Sequence, residues 1–163
     1  MDGTQTLGLI GFLAACYLAA STGAFFRPGA WYAGLAKPSW NPPNWAFPVA
    51  WTALYTMIAV AAWLVWREAG FAGAPLALLF WFIQLVLNAA WSWIFFGLRR
   101  MDLAFAELLA FWLAILATVL AFAQHSAAAV WLMLPYLAWV SFAGALNFAL
   151  WRLNRGRVAA GAG

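Results

Sequence analysis

Charged residues leave four long stretches of the chain untouched. No Asp, Glu, Lys or Arg occurs in the 24 residues from Gly3 to Phe26, the 29 from Pro38 to Trp66, the 30 from Ala69 to Leu98, or the 44 from Leu108 to Trp151. About 20 apolar residues, each rising 1.5 Å, cross the hydrocarbon core of a bilayer as a helix. The first three stretches therefore hold one span each. The fourth would extend about 66 Å as a single helix, roughly twice the hydrocarbon thickness. It must fold back, and its one run of consecutive polar residues is Gln124, His125 and Ser126. The pattern predicts five helices, at 5–26, 46–66, 75–98, 102–123 and 130–151, with a loop at 27–45 and a basic tail at 152–163. This is one all-α transmembrane domain over 1–163. The continuous apolar runs exclude a β-barrel, whose strands alternate. The opening Met1-Asp2-Gly3 lacks the positive flank of a signal peptide.

Composition agrees. Of 163 residues, 68% are hydrophobic and only 7% charged, against about 25% charged in a soluble domain. An ordinary soluble enzyme, a nucleic-acid binder and a disordered chain are excluded. One Cys (Cys16) and one His (His125) leave no disulfide framework, and neither a metal site nor a required cofactor is expected. The net charge of +4 reports topology instead. Arg27, Lys37, Arg99, Arg100, Arg152, Arg155 and Arg157 fall on one side of a five-span chain and Arg67 on the other. The positive-inside rule then puts the N-terminus outside and the C-terminus in the cytoplasm.

Three helices carry a face rich in aromatic residues. Phe47, Trp51, Tyr55 and Ile58 share a face of the second helix, and Gln84, Asn88, Trp91, Ser92 and Phe95 one of the third. Pro135, Trp139, Phe142, Ala143 and Leu146 form a stripe on the fifth. Polar side chains avoid lipid, so Gln84 and Asn88 should point inward. Such faces describe a pocket for a flat apolar ligand with a few polar atoms. Gly11, Ala15, Ala19 and Gly23, spaced by four in the first helix, allow close helix approach within the bundle or across a homodimer. Glu107, about one turn inside the fourth helix, is either a proton or ligand site or a side chain reaching back to Arg99, Arg100 or the lipid headgroups, and the second is expected. Between the first two helices, Pro38, Pro42 and Pro43 forbid a regular helix among the aromatics Trp31, Tyr32 and Trp40. That loop is either an interfacial aromatic belt or a lid over the bundle.

The loop string WYAGLAKPSWNPP, from Trp31 to Pro43, closely resembles the signature of the TspO or translocator protein family. These proteins are also called tryptophan-rich sensory proteins or peripheral-type benzodiazepine receptors. Phe47-Pro48 and Trp51, Asn88 to Ser92, Pro135-Tyr136 and Trp139, and Leu146 to Phe148 extend the resemblance over about residues 7–155. It implies a five-helix membrane receptor or transport protein that binds porphyrin, haem and drug-like aromatic molecules, linked to tetrapyrrole homeostasis or sensing. The implied ligand-binding residues are Trp40, Phe47, Trp51, Tyr55, Gln84, Asn88, Trp91, Ser92, Pro135, Tyr136, Trp139, Phe142 and Ala143. Trp31, Tyr32, Lys37, Pro38, Pro42 and Pro43 form the lid, with Arg27 or Lys37 placed to meet a ligand carboxylate. The expected partners are such a flat ligand, the lipid bilayer and a second copy of the chain, in a bacterial cell membrane. The alternative is a light- and oxygen-dependent porphyrin-degrading enzyme, with Trp51 and Trp139 as its candidate catalytic residues. Phe148 stands where the family's sterol motif has Tyr, so sterol binding is not carried over.

Overall fold

A computed structural model of the chain describes residues 2–160, with side chains as far as Gly156. The Arg157 side chain and residues 161–163 of the basic tail lie outside the described residues, as does Met1. Among the described residues the fold is all-helical: α1 Gly3–Phe25, a single turn α2 Ala30–Ala33, α3 Ala46–Gly73, α4 Pro75–Ser92, α5 Met101–Phe122 and α6 Ala127–Ala160. A π-helical turn, Trp93–Gly97, prolongs α4. Five helices, α1, α3, α4 with its π turn, α5 and α6, are long and apolar enough to cross a membrane. The chain is an integral membrane protein.

The spans close into a ring. α1 packs on α3, α3 on α6, α6 on α5, α5 on α4, and α4 back on α1. Indole N–H groups tie neighbours together, since lipid offers them no acceptor. Trp63 Nε1 donates to Gln5 O at 2.9 Å, Trp81 Nε1 to Ile58 O at 3.2 Å, and Trp112 Nε1 to Ser141 Oγ at 2.8 Å. Glycines permit the closest approaches: a Cβ on Gly8 would collide with the Trp66 ring, and one on Gly144 would sit 3.0 Å from Leu108.

Several helix ends differ from the hydropathy boundaries. α3, expected to stop at Trp66, runs on to Gly73. The Arg67 guanidinium lies 4.8 Å over the Trp63 ring and 3.6 Å from Glu68, so these charges leave the apolar region without ending the helix. The break comes at Gly70, whose φ of 68° is a conformation that glycine adopts without strain. α6 likewise passes Trp151, and the expected tail is helical to Ala160. Arg155 stacks 4.5 Å from the Trp151 ring. α6 is also continuous through Pro135.

Candidate functional site

The ring encloses a cavity of about 610 Å³, within the range of small-molecule sites. Its aromatic wall is built from the helical faces that the 3–4 spacing brings together. Trp51 on α3 meets Trp139 on α6 at 88°, centroids 6.5 Å apart, and Phe47 meets Trp139 at 6.1 Å. Phe142 lies 5.7 Å from Trp139. Across the cavity, Trp91 stacks on Phe95 at 4.9 Å. These edge-to-face and offset pairs hold the rings in defined positions.

A polar relay lies at the inner end of this wall. Tyr55 OH donates to Asn88 Oδ1 at 2.6 Å, and Asn88 Nδ2 donates to Tyr136 OH at 2.9 Å. Tyr136 OH in turn donates to Gln84 Oε1 at 2.7 Å, and Gln84 Nε2 to Trp81 O at 2.9 Å. One chain of hydrogen bonds thus links α3, α4 and α6. Gln84 and Tyr136 are completely buried behind the wall and do not border the cavity. Tyr55 and Asn88 border it, with their polar atoms turned to one another.

The segment over the cavity is held to the bundle at its first half. Tyr32 is buried against Phe95 and Phe96, and that burial pushes its phenol pKa up. Asn154 of α6 grips Ala36 from both sides: its Oδ1 accepts from Ala36 N at 3.0 Å, and its Nδ2 donates to Ala36 O at 2.9 Å. Pro38 and Pro43 shape local turns, with Asn41 N donating to Pro38 O and Ala46 N to Pro43 O. Trp40 is 47% exposed and touches Phe142 at 5.7 Å. The segment is therefore a cover rather than a free interfacial loop in its Trp31–Lys37 half.

Two expectations about charge are corrected. Lys37 does border the cavity, but its ammonium donates to Tyr32 O, Ala33 O and Leu35 O at 2.7–3.3 Å. It closes the end of α2, whose last carbonyls need donors, so its three N–H groups are already engaged. Glu107 does not pair with Arg100, which makes two hydrogen bonds of 2.9 and 2.7 Å to Asp102. Both Glu107 carboxyl oxygens are buried without a partner.

A model of the TspO/MBR family matches residues 12–152. The chain belongs to the TspO/MBR family. It is 45% identical over 149 residues to protein CrtK of Rhodobacter capsulatus, covering 89% of this chain and 91% of the relative. It is 46% identical over 146 residues to the tryptophan-rich sensory protein of Cereibacter sphaeroides, covering 90% of each. It is 43% identical over 154 residues to the human translocator protein, again covering 90% of each.

In this TspO/MBR chain the cavity borders on Phe47, Trp51, Tyr55, Asn88, Trp91 and Ser92 from the expected set. Trp139, Phe142 and Ala143 join them from α6, and Tyr32 and Lys37 from the cover. Pro135 is exposed, and like Trp31, Trp40, Pro38, Pro42 and Pro43 it does not border the cavity. The sequence reading missed the contribution of α1, where Tyr17, Ala20, Gly23 and Ala24 form part of the wall. It also missed Leu108 and Phe111 of α5 and Asn147 of α6. Gly23 was visible only as a small residue for helix packing. Here its missing side chain widens the cavity, for a Cβ there would meet only Ser92 Oγ at 3.9 Å.

Proposed function

We propose that this protein is a membrane receptor or transport protein for porphyrin- or haem-like tetrapyrroles and other flat aromatic molecules, serving tetrapyrrole homeostasis or sensing. The observation that carries the reading is the pair Trp51 and Trp139, which with Phe47 and Phe142 presents π faces and edges to one cavity. A planar conjugated ring gains both buried apolar area and ring–ring contact there. Arg27 is exposed beside Pro28 and Gly29 of the cavity wall, and suits a propionate left at the mouth. The tetrapyrrole is ligand, not cofactor.

Titration of the purified protein with protoporphyrin IX in the dark tests this. One saturable site per chain, competed by haem, is expected; only non-saturable partition into the detergent or lipid would refute it. We further place the protein in a bacterial cell membrane with its N-terminus outside, on the strength of the seven-to-one basic asymmetry. Reporter fusions should read periplasmic at the N-terminus and cytoplasmic at the C-terminus, and the reverse reading would refute that orientation.

A further inference from the structure

Hydroxyl groups well inside the spans follow one habit. Ser21, Thr22, Thr52, Thr56, Thr118 and Ser141 each donate to a carbonyl three or four residues earlier in their own helix, at 2.6–2.9 Å. A membrane helix satisfies in this way a hydroxyl that lipid cannot. Ser92 departs from the habit. It ends α4 and borders the cavity, and its Oγ has no hydrogen-bond partner among the described residues.

Opposite Ser92 stands Gly23 of α1. A Cβ at Gly23 would come 3.9 Å from Ser92 Oγ and meet nothing else within 4 Å. An oxygen accepting from Ser92 lies about 2.8 Å from it, so along that line it would overlap a Cβ at position 23. With glycine there, the two residues leave a notch in the α1–α4 side of the cavity, with an O–H donor at its floor.

The rim beside the notch is cationic. Arg27 follows Gly23 by four residues and donates from Nε to Ala24 O at 2.8 Å. Ala24, Pro28 and Gly29 border the cavity, so this bond ties the guanidinium to the rim. The ion pairs among the described residues are Arg67–Glu68 and Arg100–Asp102, which leaves Arg27 without a carboxylate. Among the described residues no Asp or Glu borders the cavity, so an anion there meets no like charge on the wall.

Resting on the tetrapyrrole reading above, we propose that the Gly23–Ser92 notch seats a carboxylate carried on a flexible arm of the bound ring, such as one propionate, with Ser92 Oγ donating to it and Arg27 supplying the countercharge from the rim. Donor and charge together select the group. A carboxylate takes a charge-assisted hydrogen bond, stronger than the bond to a neutral acceptor. An ester keeps a carbonyl acceptor but offers Arg27 no charge. The notch thereby orients the ligand, its acidic edge toward α1 and α4 and its ring against Trp51 and Trp139.

The test uses two flat rings that carry a carboxylate on a short alkyl chain, protoporphyrin IX and 1-pyrenebutyrate, each beside its methyl ester. Dark titrations compare wild type, Ser92→Ala, Gly23→Ala and the double variant. Detergent partition is common to all of these proteins, so the ratio of dissociation constants, variant over wild type, is read for each probe. Both single variants should weaken the acids by about fivefold and the esters by less than about twofold. The double variant should be no weaker than the weaker single, because both changes remove the same contact. Alanine at position 23 meets only Ser92 Oγ, at an ordinary van der Waals distance, and Ser92 has no bond to lose, so both variants should stay folded. Helical content and unfolding temperature on the same samples verify that. Acids weakened no more than esters, or losses that multiply in the double variant, would overturn the notch. Equal protoporphyrin and pyrenebutyrate binding in all of these proteins would overturn it and leave the tetrapyrrole reading standing. No saturable protoporphyrin binding, with pyrenebutyrate still dependent on Ser92 and Gly23, would remove the tetrapyrrole and uphold the carboxylate notch.

Discussion

The indoles of Trp51 and Trp139 meet at 88° with their centroids 6.5 Å apart, joining α3 to α6 at the wall of the cavity. Each also touches a second ring, Tyr55 at 5.4 Å and Phe47 at 6.1 Å, so neither indole is held by lipid alone. If these rings bind by stacking, a π face should suffice. Trp51→Phe is expected to weaken dark protoporphyrin binding only about twofold to fivefold, and Trp51→Ala by tenfold or more. Equilibrium titration in the dark checks this, and parallel illumination separates binding from any indole chemistry. Loss of light-driven porphyrin bleaching in Trp51→Phe and Trp139→Phe with binding retained would favour the degradative alternative.

Asn88 is expected to matter more for stability than for ligand contact, because its oxygen is committed to Tyr55 and its amide to Tyr136. Asn88→Leu leaves the Tyr55 hydroxyl without its acceptor, at a cost of about 1–3 kcal/mol. Thermal or denaturant unfolding in detergent measures it. Adding Tyr55→Phe removes the orphaned hydroxyl and should recover part of the loss, so strictly additive destabilisation would show that the two groups are not coupled.

The clamp of Asn154 on Ala36 predicts a kinetic effect. Asn154→Ala deletes both hydrogen bonds between α6 and the cover, which frees the segment that Tyr32 anchors over the cavity. Release of bound protoporphyrin should accelerate by about tenfold, taking each bond as about 0.5–1.5 kcal/mol, while uptake changes less. Stopped-flow measurement of both rates checks it. Equal acceleration of uptake and release would mean that the clamped segment gates access without holding the ligand.

The spans were legible in the sequence because lipid forces every backbone group into a helix and excludes charge, which leaves long uncharged runs as the signal. The helix ends were not, because a helix need not stop at the membrane surface: α3 carries Arg67 and Glu68 outward, and α6 carries Arg152 and Arg155. Trp51, Trp91 and Trp139 were legible as wall residues because large aromatics at helical spacing mark a face. The part played by α1 was hidden, since Ala20 and Gly23 contribute space rather than chemistry, and space has no residue signature. Partner choice was hidden as well. That Gln84 and Tyr136 satisfy one another across α4 and α6, and that Lys37 closes α2 rather than facing a ligand, depends on contacts between segments 52 or 5 positions apart.

A tetrapyrrole bound as proposed lies inside the ring of helices and not on its lipid-facing surface. Ala143 borders the cavity from α6, next to Phe142, and a larger side chain there occupies the space itself. The most direct measurement is dark titration of Ala143→Phe with protoporphyrin IX, with helical content and unfolding temperature recorded on the same sample. Binding weakened at least tenfold in a protein that stays folded is the expected result. An unchanged dissociation constant in folded Ala143→Phe would contradict the account, because a porphyrin on the outer surface would not feel the cavity being filled.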